Sequence, residues 1–99
     1  IYTKSNSLEK IYNLKINSNK NIKITSKNEK GDPLTYEMII LTNLEIFEQD
    51  KLIKRITYKK NANYNNKSNK FDLKQFEKST EENLITQISE AIIINLLSI

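Results

Sequence analysis

The only glycine and the only proline of this chain lie close together, in the stretch Asn28-Glu-Lys-Gly-Asp-Pro33. Gly31 can take a positive φ without steric cost, and Pro33 has no N–H to give to a ladder, so regular structure must break here. On both sides of the break the sequence alternates. From Tyr12 to Ile24 the even positions hold Tyr12, Leu14, Ile16, Ser18, Lys20, Ile22 and Ile24, and the odd positions hold Asn and Lys. Period two marks a strand with one buried face. The polar middle, Ser18 to Asn21, predicts a bulge or a bend.

From Leu34 to Ile46 the alternation returns, with Leu34, Tyr36, Met38, Ile40, Leu44 and Ile46 on one face. Ile39, Leu41 and Phe47 on the opposite face make this the most apolar strand, which places it at the centre of a sheet. Glu48-Gln-Asp50 reads as a short hairpin connection. Lys51 to Tyr58 resumes as a strand with Leu52, Ile56 and Tyr58 inward. Asn61 to Lys70 is polar and Asn-rich, although Tyr64 keeps the even parity. The predicted strands are 12–26, 34–48 and 51–64, and residues 1–11 form an N-terminal segment.

The period then changes. Asp72 is the candidate N-cap, with Gln75 completing a capping box. Leu73, Phe76, Leu84, Ile88, Ala91, Ile92 and Leu96 follow at near-helical spacing. A helix over 72–98 spans about 39 Å, and a strand of this length about 43 Å, so the helix can lie along the sheet. The fold class is α+β: an antiparallel meander of three strands, or four, packed on one long C-terminal helix in two layers. Ninety-nine residues allow one such domain, 1–99.

Composition closes several chemistries. The chain has no Cys and no His, so thiolate metal sites, zinc sites and His-based acid–base pairs are excluded. Glu77 and Glu81 lie one helical turn apart and could pair as acid and base, but beside Lys74 and Lys78 they read as a solvated helix face. No catalytic residue, metal ligand or cofactor is assigned. The formal net charge of +4 suggests nucleic acid, yet Arg occurs once, at Arg55, and Lys lacks the bidentate fork that phosphate and base recognition favour. Lys, Asn and Ile share AT-rich codons, which accounts for much of the excess. No run of 18 or more apolar residues occurs and no secretory h-region opens the sequence, whose start on Ile1 rather than Met suggests a processed or trimmed product.

Two candidate surfaces follow from this topology. A meander brings the loops 28–33 and 61–70 to the same end as the helix N-terminus. Lys27, Lys30, Lys67 and Lys70 gather there, beside the positive end of the helix dipole, as an anion- or lipid-phosphate-binding tip. At the other end, near Glu48–Asp50, the helix closes with SEAIIINLLSI. Its apolar side chains run nearly all the way round, more than one sheet can cover. Ile93, Ile94 and Leu97, with Ile39, Leu41 and Phe47 on the outer sheet face, are the expected partner interface.

Arg55-Ile-Thr-Tyr58, Tyr64-Asn65, Phe71, Glu77 and Asn83-Leu-Ile-Thr-Gln-Ile-Ser-Glu-Ala-Ile92 resemble the last strand and C-terminal helix of the lipopolysaccharide-assembly lipoproteins (LptE). Gly31-Asp-Pro33 followed by Tyr36-Glu37 fits the same pattern, and the resemblance covers roughly residues 12–98. It implies a non-catalytic Gram-negative lipoprotein, anchored by a lipidated N-terminal Cys that this chain lacks, on the periplasmic face of the outer membrane. It implies two partners: an outer-membrane β-barrel assembly protein that the lipoprotein plugs, and lipopolysaccharide, bound by basic residues near the sheet tip. The family's fold begins with a strand and a helix, for which residues 1–11 are too few, so the sheet is expected to expose an edge. Strand 12–24, with Lys and Asn outward, suits that position. The alternative is a small basic RNA-binding α+β module, with Tyr12, Tyr36 and Tyr58 stacking bases; their core parity argues that the helix covers them, so no nucleic-acid partner is expected.

Overall fold

A computed structural model describes residues 11–98. Three strands, β1 (Tyr12–Lys27), β2 (Pro33–Glu48) and β3 (Lys51–Asn65), precede one helix, α1 (Lys70–Leu97). The sheet is antiparallel in the order β1-β2-β3. The fold is therefore an open three-stranded α+β sheet backed by one long C-terminal helix, with the most apolar strand at its centre.

Each turn has a local cause. The Asn28 side-chain oxygen accepts from the N–H groups of Lys30 and Asp32, both at 2.9 Å. Gly31 has φ of 88°, a value its missing Cβ permits. Between β2 and β3, Gln49 and Asp50 both have positive φ, 51° and 63°, and Glu48 pairs with Lys51. This is a two-residue type I′ hairpin, whose twist matches that of its strands.

The polar middle of β1 holds no bulge. The register runs unbroken from Tyr12 opposite Glu48 to Ile24 opposite Tyr36, and the irregularities fall at Ile24/Ser26 and Ser26/Lys27. Ser18 lies opposite Thr42, and their hydroxyls share a 2.9 Å hydrogen bond. The polar pair is thus satisfied across the ladder without a bend. A shift between Ile46 and Phe47 sets Leu52 opposite Phe47 on the outer face. Leu52 is not inward as its parity suggested, because a bulge reverses the faces beyond it.

The helix starts two residues before the expected position. Asn69, not Asp72, is the cap: its Oδ1 accepts from the N–H groups of Phe71 at 2.9 Å and Asp72 at 3.3 Å. Asp72 sits in the first turn, where its charge favours the dipole. α1 packs over β2 and β3, enclosing Met38, Ile40, Tyr64, Leu73, Leu84 and Ile88, with Tyr36, Tyr58, Ala62 and Ile92 at the margin. It does not reach the Gln49 hairpin. Asn95 donates to the Tyr58 hydroxyl at 2.6 Å, while β3 extends back to Lys51, roughly 23 Å further at strand rise.

Candidate functional site

One helix about 10 Å wide covers about two strands spaced ~4.8 Å apart. The third strand is left over. On the helix-facing side of β1, Leu14, Ile16, Ile22 and Ile24 stand 42, 55, 36 and 45% exposed, although each is paired with a core-facing residue of β2. Between this strip and α1 runs a groove of about 230 Å³, lined by Ile16, Ser18, Thr42, Ile85, Ile88, Ser89 and Ile92. Beyond its lining, Lys20 joins β1 to α1 by an ion pair with Glu81 at 2.8 Å. Parity alone had assigned these β1 residues to a buried face. The missing signal was width, which strand and helix dimensions already supply.

The helix end is as greasy outside as its sequence suggests. Ile93, Ile94 and Leu97 are 55, 66 and 82% exposed. On the outer face of the sheet Leu41 is exposed, and Ile39 and Phe47 are half-buried, the latter opposite Asn13 and Leu52. These two sets belong to opposite layers. The structure does not bring them into one continuous surface.

Lys27, Lys30, Lys67 and Lys70 are all exposed at the end where β1 turns into β2 and β3 gives way to α1. The Asn66 N–H donates to Leu34 O at 2.8 Å, and its side-chain amide donates to Pro33 O at 2.9 Å, tying that loop to the sheet. Lys67 places its ammonium 5.0 Å from the centre of the Phe76 ring, within cation–π range. The tip is mixed in sign, because Glu29, Asp32 and Asp72 share it. Asn69 also satisfies the first helical N–H groups, with its side chain for Phe71 and Asp72 and its carbonyl for Leu73 at 3.1 Å. What the tip offers an anion is therefore ammonium charge more than free N–H donors.

Several of the other polar groups have defined partners. Tyr64 donates to Glu77 at 2.6 Å and is buried, at 6% exposure. Burial first, and then the Glu77 carboxylate, hold its phenol well above the usual tyrosine value. Glu37 accepts from Asn61 at 2.6 Å and faces Lys23 at 3.3 Å. The Asn61 bond, ahead of Lys23, draws its carboxyl below the usual range. Glu77 and Glu81 each serve a different partner, and no group of three potential metal ligands occurs among the described residues. Tyr36 stacks on Tyr64 at 5.5 Å, and Tyr64 meets Phe76 at 5.7 Å. With Tyr58 held by Asn95, two of the three candidate base-stacking rings are packed against the core. No helix among the described residues is long and apolar enough to cross a membrane.

No family model matches this chain, and no curated protein sequence matches it.

Proposed function

We propose that this chain is a non-catalytic component of outer-membrane lipopolysaccharide assembly that docks against a β-barrel partner. One observation carries the reading most: the last turns of α1 present Ile93, Ile94 and Leu97 to solvent, at 55, 66 and 82% exposure. Burying one such side chain contributes about 1.5–3 kcal/mol, so leaving three outside is explained by a partner that covers them. The basic tip faces away from that end, and Lys27, Lys30, Lys67 and Lys70 give it the charge to meet lipid phosphates. A periplasmic position, held at the outer membrane by a lipid, belongs to the same proposal. Its support is the resemblance of residues 12–98, together with a three-stranded meander backed by a long helix.

The test is capture of candidate outer-membrane barrels by the tagged full chain after co-expression. A barrel should be retained by the native chain and lost from the triple variant Ile93→Lys, Ile94→Lys, Leu97→Lys, whose circular dichroism should stay native. Equal retention by the variant, or no barrel captured at all, overturns the docking proposal. Binding to lipopolysaccharide micelles should fall at least several-fold in Lys27→Glu/Lys30→Glu. Undiminished binding would remove the tip from the lipid site.

A further inference from the structure

β1 is an edge strand of sixteen residues without Gly or Pro. Among the described residues no strand pairs with its outer side. Such an edge is a template for another strand, and the side-chain pattern of β1 says which one. Its helix-facing residues read Leu14, Ile16, Ser18, Lys20, Ile22, Ile24, which is a palindrome of apolar and polar character about Asn19. Its outer-face residues read Asn17, Asn19, Asn21, symmetric about the same point. We propose that β1 pairs antiparallel with β1 of a second copy of this chain, about a two-fold axis through Asn19. The contact is isologous, as most homodimers are, and is independent of the docking proposed for the helix end.

In that register Leu14 lies opposite the second copy's Ile24, and Ile16 opposite its Ile22. All four exposed apolar residues of the strip gain an apolar neighbour across the junction, and symmetry repeats each contact. Ser18 meets the second copy's Lys20, whose ammonium is already drawn to Glu81 at 2.8 Å, so this inward charge does not block the edge. Neighbouring registers are worse. Centring on Lys20 sets two ammonium groups against each other, and centring on Ser18 sets Ile16 against Lys20. A shift by a single position opposes the apolar face of one copy to the Asn-rich face of the other. The one like-charge match, Lys15 against the second copy's Lys23, is tempered on the adjacent strand. Glu37 lies 3.3 Å from Lys23, and Glu45 pairs with Lys15 in the ladder.

Because the chain has no cysteine, single substitutions report the register cleanly. Opposed residues in an antiparallel pair have Cα atoms about 4.5–5.5 Å apart, inside the span a disulfide bridges. Asn19→Cys in the full chain should therefore oxidise to a covalent dimer. Asn21→Cys alone should do so at least tenfold more slowly, since it lies about 13 Å from its own copy, whereas Asn17→Cys mixed with Asn21→Cys should cross-link as fast as Asn19→Cys. Sedimentation equilibrium should show a monomer–dimer equilibrium that Ile16→Lys/Ile22→Lys weakens more than tenfold, with the native circular dichroism retained. A chain that stays monomeric at every concentration, or cross-linking of Asn21→Cys as fast as Asn19→Cys, overturns the proposal.

Discussion

β1 and β2 carry the same alternation and lie side by side, yet they end in opposite environments. Met38, Ile40, Leu44 and Ile46 of β2 are no more than 2% exposed. Their ladder partners on β1, namely Ile22, Lys20, Ile16 and Leu14, are all exposed. Both strands point these side chains to the same face. The central strand has neighbours on either side and, over Met38 and Ile40, a helix above; among the described residues the edge strand has one neighbour and no helix packed on it. Parity decides which way a side chain points, and coverage decides whether it is buried.

Large-to-small substitutions are the sharpest way to break this comparison. Met38→Ala should destabilise the fold by about 2–5 kcal/mol, the range for a well-packed core. Ile16→Ala, measured on the dilute chain, should cost less than ~1 kcal/mol. Urea unfolding reads both, and equal losses would mean that β1 is covered after all. Next comes the polar anchor of the covered half. Tyr64→Phe removes the hydrogen bond to Glu77 and should cost about 1 kcal/mol at neutral pH.

That substitution also has a pH signature. The phenol of Tyr64 is raised in the folded chain above the ordinary value of 10.0. Its contribution is fully present below about pH 10 and is lost as pH rises towards the folded value, because the unfolded chain ionises first. Native stability should therefore fall faster above pH 10 than that of Tyr64→Phe, as thermal melts across pH would record.

Helix capping gives a comparable but more local effect. Asn69→Ala should cost about 1 kcal/mol, and Asp72→Ala only about 0.5 kcal/mol through the dipole. The reverse order would restore Asp72 as the cap. At the far end of the sheet, Gln49→Gly should stabilise the hairpin by about 0.5 kcal/mol, since Gln49 holds a left-handed conformation that glycine takes freely. The smallest effect belongs to Glu37 on the outer face. Its depressed pKa adds stability above the usual carboxylate range that is lost as pH falls through the lowered value. Glu37→Gln should flatten the acid limb of a pH–stability profile slightly.

Much of the fold was legible in the residues. Gly31 and Pro33 marked the first turn, the double-sided apolar character of β2 marked the centre, and the change of period after Lys70 marked the helix. The errors have physical causes. Asn69 and Asp72 are both good caps, and only the first is placed where its oxygen reaches the first-turn N–H groups. Leu52 followed its parity until a bulge at Phe47 reversed it. The exposure of Ile93, Ile94 and Leu97 could be anticipated because no single sheet covers every side of a helix. The β1 groove could not be found from periodicity, which carries no information about lateral position.

Strand and helix periods, turn chemistry and chain reversal are local properties, and the order of residues settled them. Which two strands the helix lies over is a competition among apolar surfaces, decided when the layers pack. α1 settled on β2 and β3, where Tyr36, Tyr58 and Tyr64 offer large rings and hydroxyls for Glu77 and Asn95. The aliphatic strip of β1 stayed in solvent because one helix is too narrow for three strands.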